Sequence, residues 1–237
     1  MKSLNLLLSQ SALHYQIVKG RSIVKEYDYA TTEEQPELPL QSILEDLLKE
    51  EYTHIKVYSA LNRFSMMPEG FKEHELGHAL VNFNATPRQG EELMLAVSKK
   101  FGLQFYYTFP EALYQKIKSS KARVSFTFSG EKLLSLLSTK GRSEVHVNLY
   151  HNQCEFVALR DKKVLLYNNL DVNSEVDFLY FILFTLSKLD FSLPTTRFYV
   201  YGETSKNQTF ISELDKFSSH LKILYDNIPG KHFILQN

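Results

Sequence analysis

The chain carries one order of predicted elements twice, and this repetition restricts the possible folds more than any single motif does. In the first copy, apolar residues recur at 4–8, 13–18 and 23–29 in the manner of three strands joined by short turns. An amphipathic helix at residues 40–48 and a short strand at residues 55–60 follow.

Residues 145–201 repeat this order. Three strands within residues 145–167 precede a helix that begins near Glu175, where Ser174 is placed to cap it, and a strand at residues 198–201 ends the copy. Equivalent elements keep a nearly constant separation, which indicates a duplicated β-β-β-α-β unit. Since a strand that follows a helix usually runs parallel to an earlier strand, each copy predicts a mixed sheet covered by helices, and the fold class is α/β.

The domain organisation follows from this duplication. Residues 1–143 are predicted to form the first half, which includes an inserted subdomain at about residues 65–143, and residues 144–237 form the second half. The second half is predicted to end with a helix at residues 208–221 and a last strand at residues 232–235.

Composition argues against several classes of protein. Of the 237 residues, 43% are hydrophobic, which is enough to build a core and argues against disorder. Lys+Arg and Asp+Glu both number 27, so the basic footprint of a nucleic-acid-binding protein is missing. The single cysteine, Cys154, cannot form an intramolecular disulfide, and the most apolar stretch, residues 178–186, is shorter than the roughly 20 residues of a membrane span. We therefore predict a cytoplasmic protein with no nucleic-acid or membrane partner.

Five short stretches resemble a Bacteroidetes family of uncharacterised proteins that is associated with an actin-like fold. They are RFSMMPE (63–69), VHVNLY (145–150), VLLYNN (164–169), DFLYF (177–181) and FYVYG (198–202). The resemblance covers most of the chain and implies a duplicated ribonuclease-H-like, or actin-like ATPase, fold. It also implies where a nucleotide would bind: the turn between the first two strands of each half, and the turn after the last strand of the second half.

Active members of the actin-like superfamily place an Asp and glycines at the first two of these turns, because a carboxylate anchors Mg²⁺ and glycines let backbone N–H groups approach phosphate. Here the first turn contains neither Asp nor Gly, nor does the second, and the third keeps a single glycine. The candidate nucleotide-binding residues are therefore Ser9, Gln10 and Ser11 at the first turn, His151 and Asn152 at the second, and Gly202, Glu203, Thr204 and Ser205 at the third.

Residues 74–78 match the H-E-x-x-H pattern, in which two histidines one helical turn apart bind zinc and the glutamate acts as a general base. The three residues are His74, Glu75 and His78. Gly77 inside the predicted helix, a short helix after Pro68, and the lack of an evident third ligand favour a solvated helix face instead.

Three further features have a structural and a functional interpretation. Cys154 and His146 fall on predicted neighbouring strands, as a nucleophile and a base would, although a buried small cysteine is the simpler hypothesis. The helix at residues 178–184 is apolar around most of its circumference, so we expect it to be buried. The aromatic residues at 106–109 are expected either to pack in the core or, if exposed, to contact a protein partner.

Taken together, these features predict a non-catalytic pseudoenzyme of the actin-like fold, with no catalytic residue, no cofactor and a protein partner of unknown identity. A divergent nucleotide-dependent ATPase or switch that binds ATP with Mg²⁺ at the three turns is the alternative. A zinc hydrolase built on His74, Glu75 and His78 is a third hypothesis.

Overall fold

The computed structural model describes residues 1–71, 76–172 and 174–236. The chain divides into two units, Met1–Ser135 and Leu136–Asn237. The first unit contains β1 (Lys2–Leu8), β2 (Ala12–Lys19), β3 (Ser22–Ala30), α1 (Leu40–Leu48), β4 (His54–Ser59), β5 (Phe64–Pro68), α2 (Gly77–Asn84), β6 (Glu91–Ser98), β7 (Leu103–Pro110), α3 (Glu111–Lys118), β8 (Arg123–Phe128) and the start of α4 (Ser129–Leu136).

The second unit repeats the strand and helix order of the first. Its elements are β9 (Ser143–Tyr150), β10 (Gln153–Arg160), β11 (Lys163–Asp171), α5 (Glu175–Lys188), β12 (Arg197–Gly202), α6 (Gln208–Asp215) and β13 (Leu221–Ile223). Short 3₁₀ turns at Leu193–Thr195 and Ser205–Asn207 precede β12 and α6.

The two five-stranded sheets have the same topology. The first has the order β3-β2-β1-β4-β8 and the second has the order β11-β10-β9-β12-β13. In each, the meander strands are antiparallel, whereas the strand after the helix returns parallel to the first strand. The duplicated β-β-β-α-β unit predicted from the sequence is therefore confirmed, and with it the α/β, ribonuclease-H-like fold class.

A β-bulge occurs at the same place in both sheets. The register of β2 against β3 shifts between Ile17 and Val18, and that of β10 against β11 shifts between Ala158 and Leu159. Because a bulge inserts one residue and increases the local twist, both hairpins bend at equivalent positions.

One face of each sheet carries the hydrophobic core, since alternate side chains of a strand point to the same face. In the first unit this face packs against α1 and α3; in the second it packs against α5 and α6. The fully buried members are mainly aliphatic, for example Leu4, Leu6 and Ile55 in the first core and Val145, Val147 and Ile182 in the second.

Residues 65–143 do not form a single appendage to the first sheet. β5, β6 and β7 make a separate antiparallel sheet of order β5-β7-β6, but β8 adds to the first sheet beside β4. This addition matches the place of β13 beside β12, so each duplicated unit has five strands. At the C-terminus, the strand is Leu221–Ile223; residues 232–235, predicted as a strand, form a turn instead.

The two predictions on aromatic segments have different outcomes. Tyr106, Tyr107 and Phe109 on β7 are at most 1% exposed, so they pack in the core. The expectation that the α5 helix is buried around most of its circumference is wrong: Tyr180 is 58% and Phe184 48% exposed. In the part of the chain that the structure describes, no helix is long and apolar enough to cross a membrane.

Candidate nucleotide-binding turns

The first turn, between β1 and β2, is held by hydrogen bonds within its own unit. The backbone N–H of Ser9 donates to the Ala12 carbonyl at 2.9 Å, and the Ser9 hydroxyl accepts the Ala12 N–H at 3.1 Å. The side-chain amide of Gln10 donates to Asn62, and the Ser11 carbonyl accepts the N–H of Thr31 at 2.8 Å. These contacts order the turn without supplying a carboxylate for a metal.

The second turn, between β9 and β10, is a tight hairpin. Asn152 takes a left-handed conformation with φ 50°, which asparagine tolerates better than most residues, and its carbonyl accepts the Val172 N–H at 2.9 Å. His151 precedes it and lies within 3.4 Å of the Asn152 side-chain amide. The hairpin therefore owes its shape to Asn152 and needs no glycine.

The carboxylate nearest in sequence to this hairpin, Glu155, is fully buried and already hydrogen-bonded. It accepts the hydroxyls of Tyr150 and Tyr167, each at 2.8 Å, and the side-chain amide of Asn148 at 3.0 Å. A buried carboxylate with several donors is stabilised where it stands. Glu155 therefore serves to join three strands of the second sheet.

The third turn follows β12 and contains the one glycine predicted from the nucleotide pattern. Gly202 has φ +89°, and a Cβ atom built on it would lie 2.3 Å from the backbone oxygen of Leu149 on β9. The next residue, Glu203, donates its N–H to that same oxygen at 2.9 Å. Gly202 is thus required by the close approach of two strands, whether or not a nucleotide binds.

The second and third turns lie at the same edge of the second sheet. β9 and β12 run parallel, and Gly202 pairs with Leu149, two residues before His151, where the β9–β10 turn begins. The first sheet has an equivalent contact, in which the N–H of Ala60 donates to the carbonyl of Leu8 at 2.7 Å. Ligands of open α/β sheets bind outside such carboxyl edges, so these turns lie where the resemblance to the actin-like superfamily predicts a nucleotide.

The donors of the third turn are occupied by a carboxylate of the protein itself. Asp226 accepts the Thr204 hydroxyl at 2.8 Å and the backbone N–H of Ser205 at 3.0 Å, and it also accepts the Ser205 hydroxyl. An N–H and two hydroxyls at the start of a helical segment are the groups that would bind a phosphate or a ribose. Asp226 therefore stands where an anionic ligand would be expected.

Two opposing effects act on the Asp226 carboxyl. Partial burial favours its neutral form, but the hydrogen bonds from the side chain and backbone of Ser205 and from Thr204 outweigh burial and lower its pKa. The carboxylate is consequently charged at neutral pH, and its charge complements the positive end of the helical segment that begins at residue 205.

Asp226 is not among the residues that the sequence pattern predicts for the site. It lies beyond the helix that follows β12, in a stretch without regular secondary structure. No periodicity or motif links it to residues 204 and 205, and a helix N-terminus with hydroxyl side chains was the one available signal that a partner carboxylate could be present.

The residues of the zinc hypothesis are only partly described. His74 and Glu75 lie outside the described residues, whereas His78 lies on the exposed side of α2. Gly77 is buried, and a Cβ there would lie 2.4 Å from the Leu93 side chain. Within residues 1–71, 76–172 and 174–236, no group of three or more His, Cys, Asp or Glu side chains is arranged to hold a metal ion.

Cys154 and His146 cannot act as a nucleophile–base pair. Cys154 pairs with Leu149 and His146 pairs with Val157, so the two side chains point to opposite faces of the second sheet. Cys154 is buried in the hydrophobic core, and desolvation raises the pKa of its thiol. His146 faces the other side, where its Nδ1 lies 3.0 Å from the Tyr201 hydroxyl.

The two five-stranded sheets, each with the same meander, crossover and bulge, define an actin-like ATPase fold. The sequence matches, over residues 1–221, a family model described as "Protein of unknown function (DUF3822)", and the chain belongs to that family. No curated protein matches the sequence.

Solved structures agree on the fold. A Bacteroides thetaiotaomicron protein described as having an actin-like ATPase fold and unknown function has a TM-score of 0.80 and 19% identity, over 99% of this chain and 93% of that chain. A chain of the PilM–PilN type IV pilus biogenesis complex has a TM-score of 0.56 and 16% identity, over 97% and 89% of the two chains. The cytoplasmic domain of EpsL, an inner-membrane component of the Vibrio cholerae type II secretion system, has a TM-score of 0.50 and 10% identity, over 84% and 82%.

Proposed function

We propose that this chain is a non-catalytic actin-like protein that acts in the cytoplasm as an interaction or scaffold component. The observation that carries the proposal is the Asp226 carboxylate, which takes up the hydrogen-bond donors of Thr204 and Ser205. An incoming phosphate would have to displace this carboxylate and would meet its negative charge.

The side chains available to bind Mg²⁺ near the first two turns support the same proposal. Phosphoryl transfer depends on Mg²⁺ to neutralise charge on the transferred group, and Mg²⁺ needs carboxylate or other oxygen ligands. Residues 9–11 include no acidic side chain, and Glu155 is the nearest acidic residue to the second turn. Recruiting Glu155 to a metal would strip a buried network of its acceptor.

A role in protein assembly is supported by charge and by fold likeness. The formal net charge is zero, which gives no long-range attraction to nucleic acid. Two similar structures come from multiprotein machines, the PilM–PilN complex and the EpsL component of a secretion system. We infer that this chain also takes part in a protein assembly.

Isothermal titration calorimetry with Mg-ATP tests the proposal directly. The wild-type chain should give no binding heat at ATP concentrations up to about 1 mM, a range in which a functional nucleotide site would saturate. The Asp226→Ala variant serves as a matched sample, because it removes the competing carboxylate and leaves the turn's donors in place. Micromolar binding by the wild-type chain would overturn the proposal and favour the alternative of a divergent ATPase or switch.

A further inference from the structure

The solvent-facing side of α5 is apolar, which is unusual for a helix of a water-soluble sheet protein. Val176, Tyr180 and Phe184 follow one another at every fourth residue and are 75%, 58% and 48% exposed. Phe181, 38% exposed, widens the stripe, while Phe178 and Ile182 on the opposite side are buried in the core. A surface helix normally presents polar residues to water, so an apolar stripe of this kind marks an interface.

The exposed rings are already arranged as one surface. The Tyr180 and Phe184 rings stack with centroids 5.4 Å apart and an interplanar angle of 14°, and Tyr180 meets Phe181 edge-on at 5.8 Å. The Lys188 ammonium lies 5.2 Å from the centre of the Phe184 ring. Because these side chains support one another, a partner would meet a preformed surface and little side-chain freedom would be lost on binding.

Opposite charges stand at the two ends of the stripe. Asp177 lies in the first turn of α5 and Lys188 in the last. Arg160 adds a second cation at the C-terminal end, where its guanidinium donates to the carbonyls of Leu189 and Asp190. The stripe is therefore negative at its start, aromatic in the middle and positive at its end.

We propose that this surface binds the α5 surface of a second copy of the chain. The two helices are antiparallel, and the twofold axis crosses the exposed stripe midway between Tyr180 and Phe184. In that arrangement Tyr180 of each copy lies opposite Phe184 of the other, and Lys188 lies beside Asp177. Each contact occurs twice, as a twofold interface requires. A parallel arrangement would place like charges together. This inference does not depend on whether the protein binds a nucleotide.

Sedimentation equilibrium over a range of protein concentrations measures the association. The 27.6 kDa chain should reach the mass of a dimer as concentration rises. The Phe184→Lys variant should remain monomeric at the concentrations where the wild type is dimeric. The control is Phe83→Lys, which alters a 90% exposed aromatic residue of α2 and should leave dimerisation unchanged. Circular dichroism of both variants establishes that they are folded.

Charge reversal tests the antiparallel geometry. Lys188→Glu and Asp177→Lys should each weaken self-association by roughly tenfold, because each places two like-charged pairs across the interface. An equimolar mixture of the two variants should recover dimerisation, since both cross-interface pairs are then opposite in charge. Association in the mixture no stronger than in the separate variants would overturn the antiparallel arrangement.

Two other results would refute the second copy as the occupant. One is a wild-type chain that stays monomeric at several hundred micromolar, which would assign the stripe to a different protein. The other is a dimer that Phe184→Lys leaves intact, which would place the contact elsewhere on the molecule.

Discussion

The carboxylate of Asp226 accepts the backbone N–H of Ser205 at 3.0 Å. This bond joins the segment after α6 to the turn that follows β12, and it gives a helical segment an internal anion. Hydrogen bonds to a charged acceptor contribute more than neutral ones, so the contact is a stabilising element as well as an obstacle to a ligand.

Replacing Asp226 should therefore lower stability in a pH-dependent way. Asp226→Asn should cost about 1–2 kcal/mol at pH 7 in urea denaturation, because a neutral acceptor makes weaker bonds. The folded-state pKa of Asp226 is lowered, so its contribution is present above the unfolded value of about 3.9 and is lost as pH falls through the folded value. The difference between wild type and variant should shrink in strong acid. Asp215→Asn, at an exposed position, is the control, and an equal loss there would refute the assignment.

Gly202 should be far less tolerant of a side chain than another glycine with a similar backbone. Gly202→Ala should cost about 3 kcal/mol or more, because its Cβ would meet the Leu149 carbonyl at 2.3 Å as well as a strained φ of +89°. Gly230→Ala, with φ +78° and nothing within 4 Å, should cost only about 1 kcal/mol. Guanidinium denaturation measures both, and equal losses would show that strain alone matters.

Removing the Glu155 carboxylate should lower the stability of the fold more than removing one of the hydroxyls that donate to it. Glu155→Ala leaves two buried hydroxyls and an amide without their acceptor and should cost about 3–5 kcal/mol. Tyr167→Phe removes one donor and should cost about 1 kcal/mol. Urea denaturation of the two variants checks this order, and the reverse order would mean that the carboxylate is not the centre of the network.

The thiol of Cys154 should be inert in the folded protein. It is fully buried, and desolvation raises its pKa, so little reactive thiolate is present at neutral pH. A disulfide reagent such as dithionitrobenzoate should label the chain only after guanidinium is added. Rapid labelling without denaturant would contradict this.

Arg63 should contribute most to the stability of the fold while its buried partner Glu91 is present. Its guanidinium donates to Glu91 at 2.6 Å, and both side chains are largely shielded from water. Arg63→Met should cost about 3–5 kcal/mol, because it leaves the Glu91 charge uncompensated. Adding Glu91→Leu should recover part of that loss in thermal unfolding. A double variant no more stable than the single one would assign the loss to packing and to the missing hydrogen bond from Arg63 to the Thr86 carbonyl.

The sequence was sufficient to predict the order of strands and helices, but not which helix faces are exposed to solvent. Apolar alternation located both meanders, because a strand with one face in the core must repeat every second residue. The same reasoning misjudged α5, since an apolar helix face looks alike whether another part of the chain or solvent lies beside it. Tyr180 and Phe184 were expected in the core for this reason.

Some features of the candidate site could also be predicted from the sequence, and one could not. The lack of acidic residues in the first turn can be read directly from the sequence, and so can the presence of Gly202 in the third. Asp226 is not, because its contact with Ser205 arises from the path of the chain after α6 and leaves no local pattern.

The bulge shared by the two hairpins bears on the history of the protein. The extra residues are Val24 in β3, opposite the step from Ile17 to Val18, and Leu165 in β11, opposite the step from Ala158 to Leu159. Two separate insertions would have no reason to fall at equivalent positions of the two hairpins. The kink is most simply inherited from a single ancestral gene, before it doubled. A reconstruction of that ancestor should keep the extra residue, because its deletion would turn every following side chain of the strand to the wrong face.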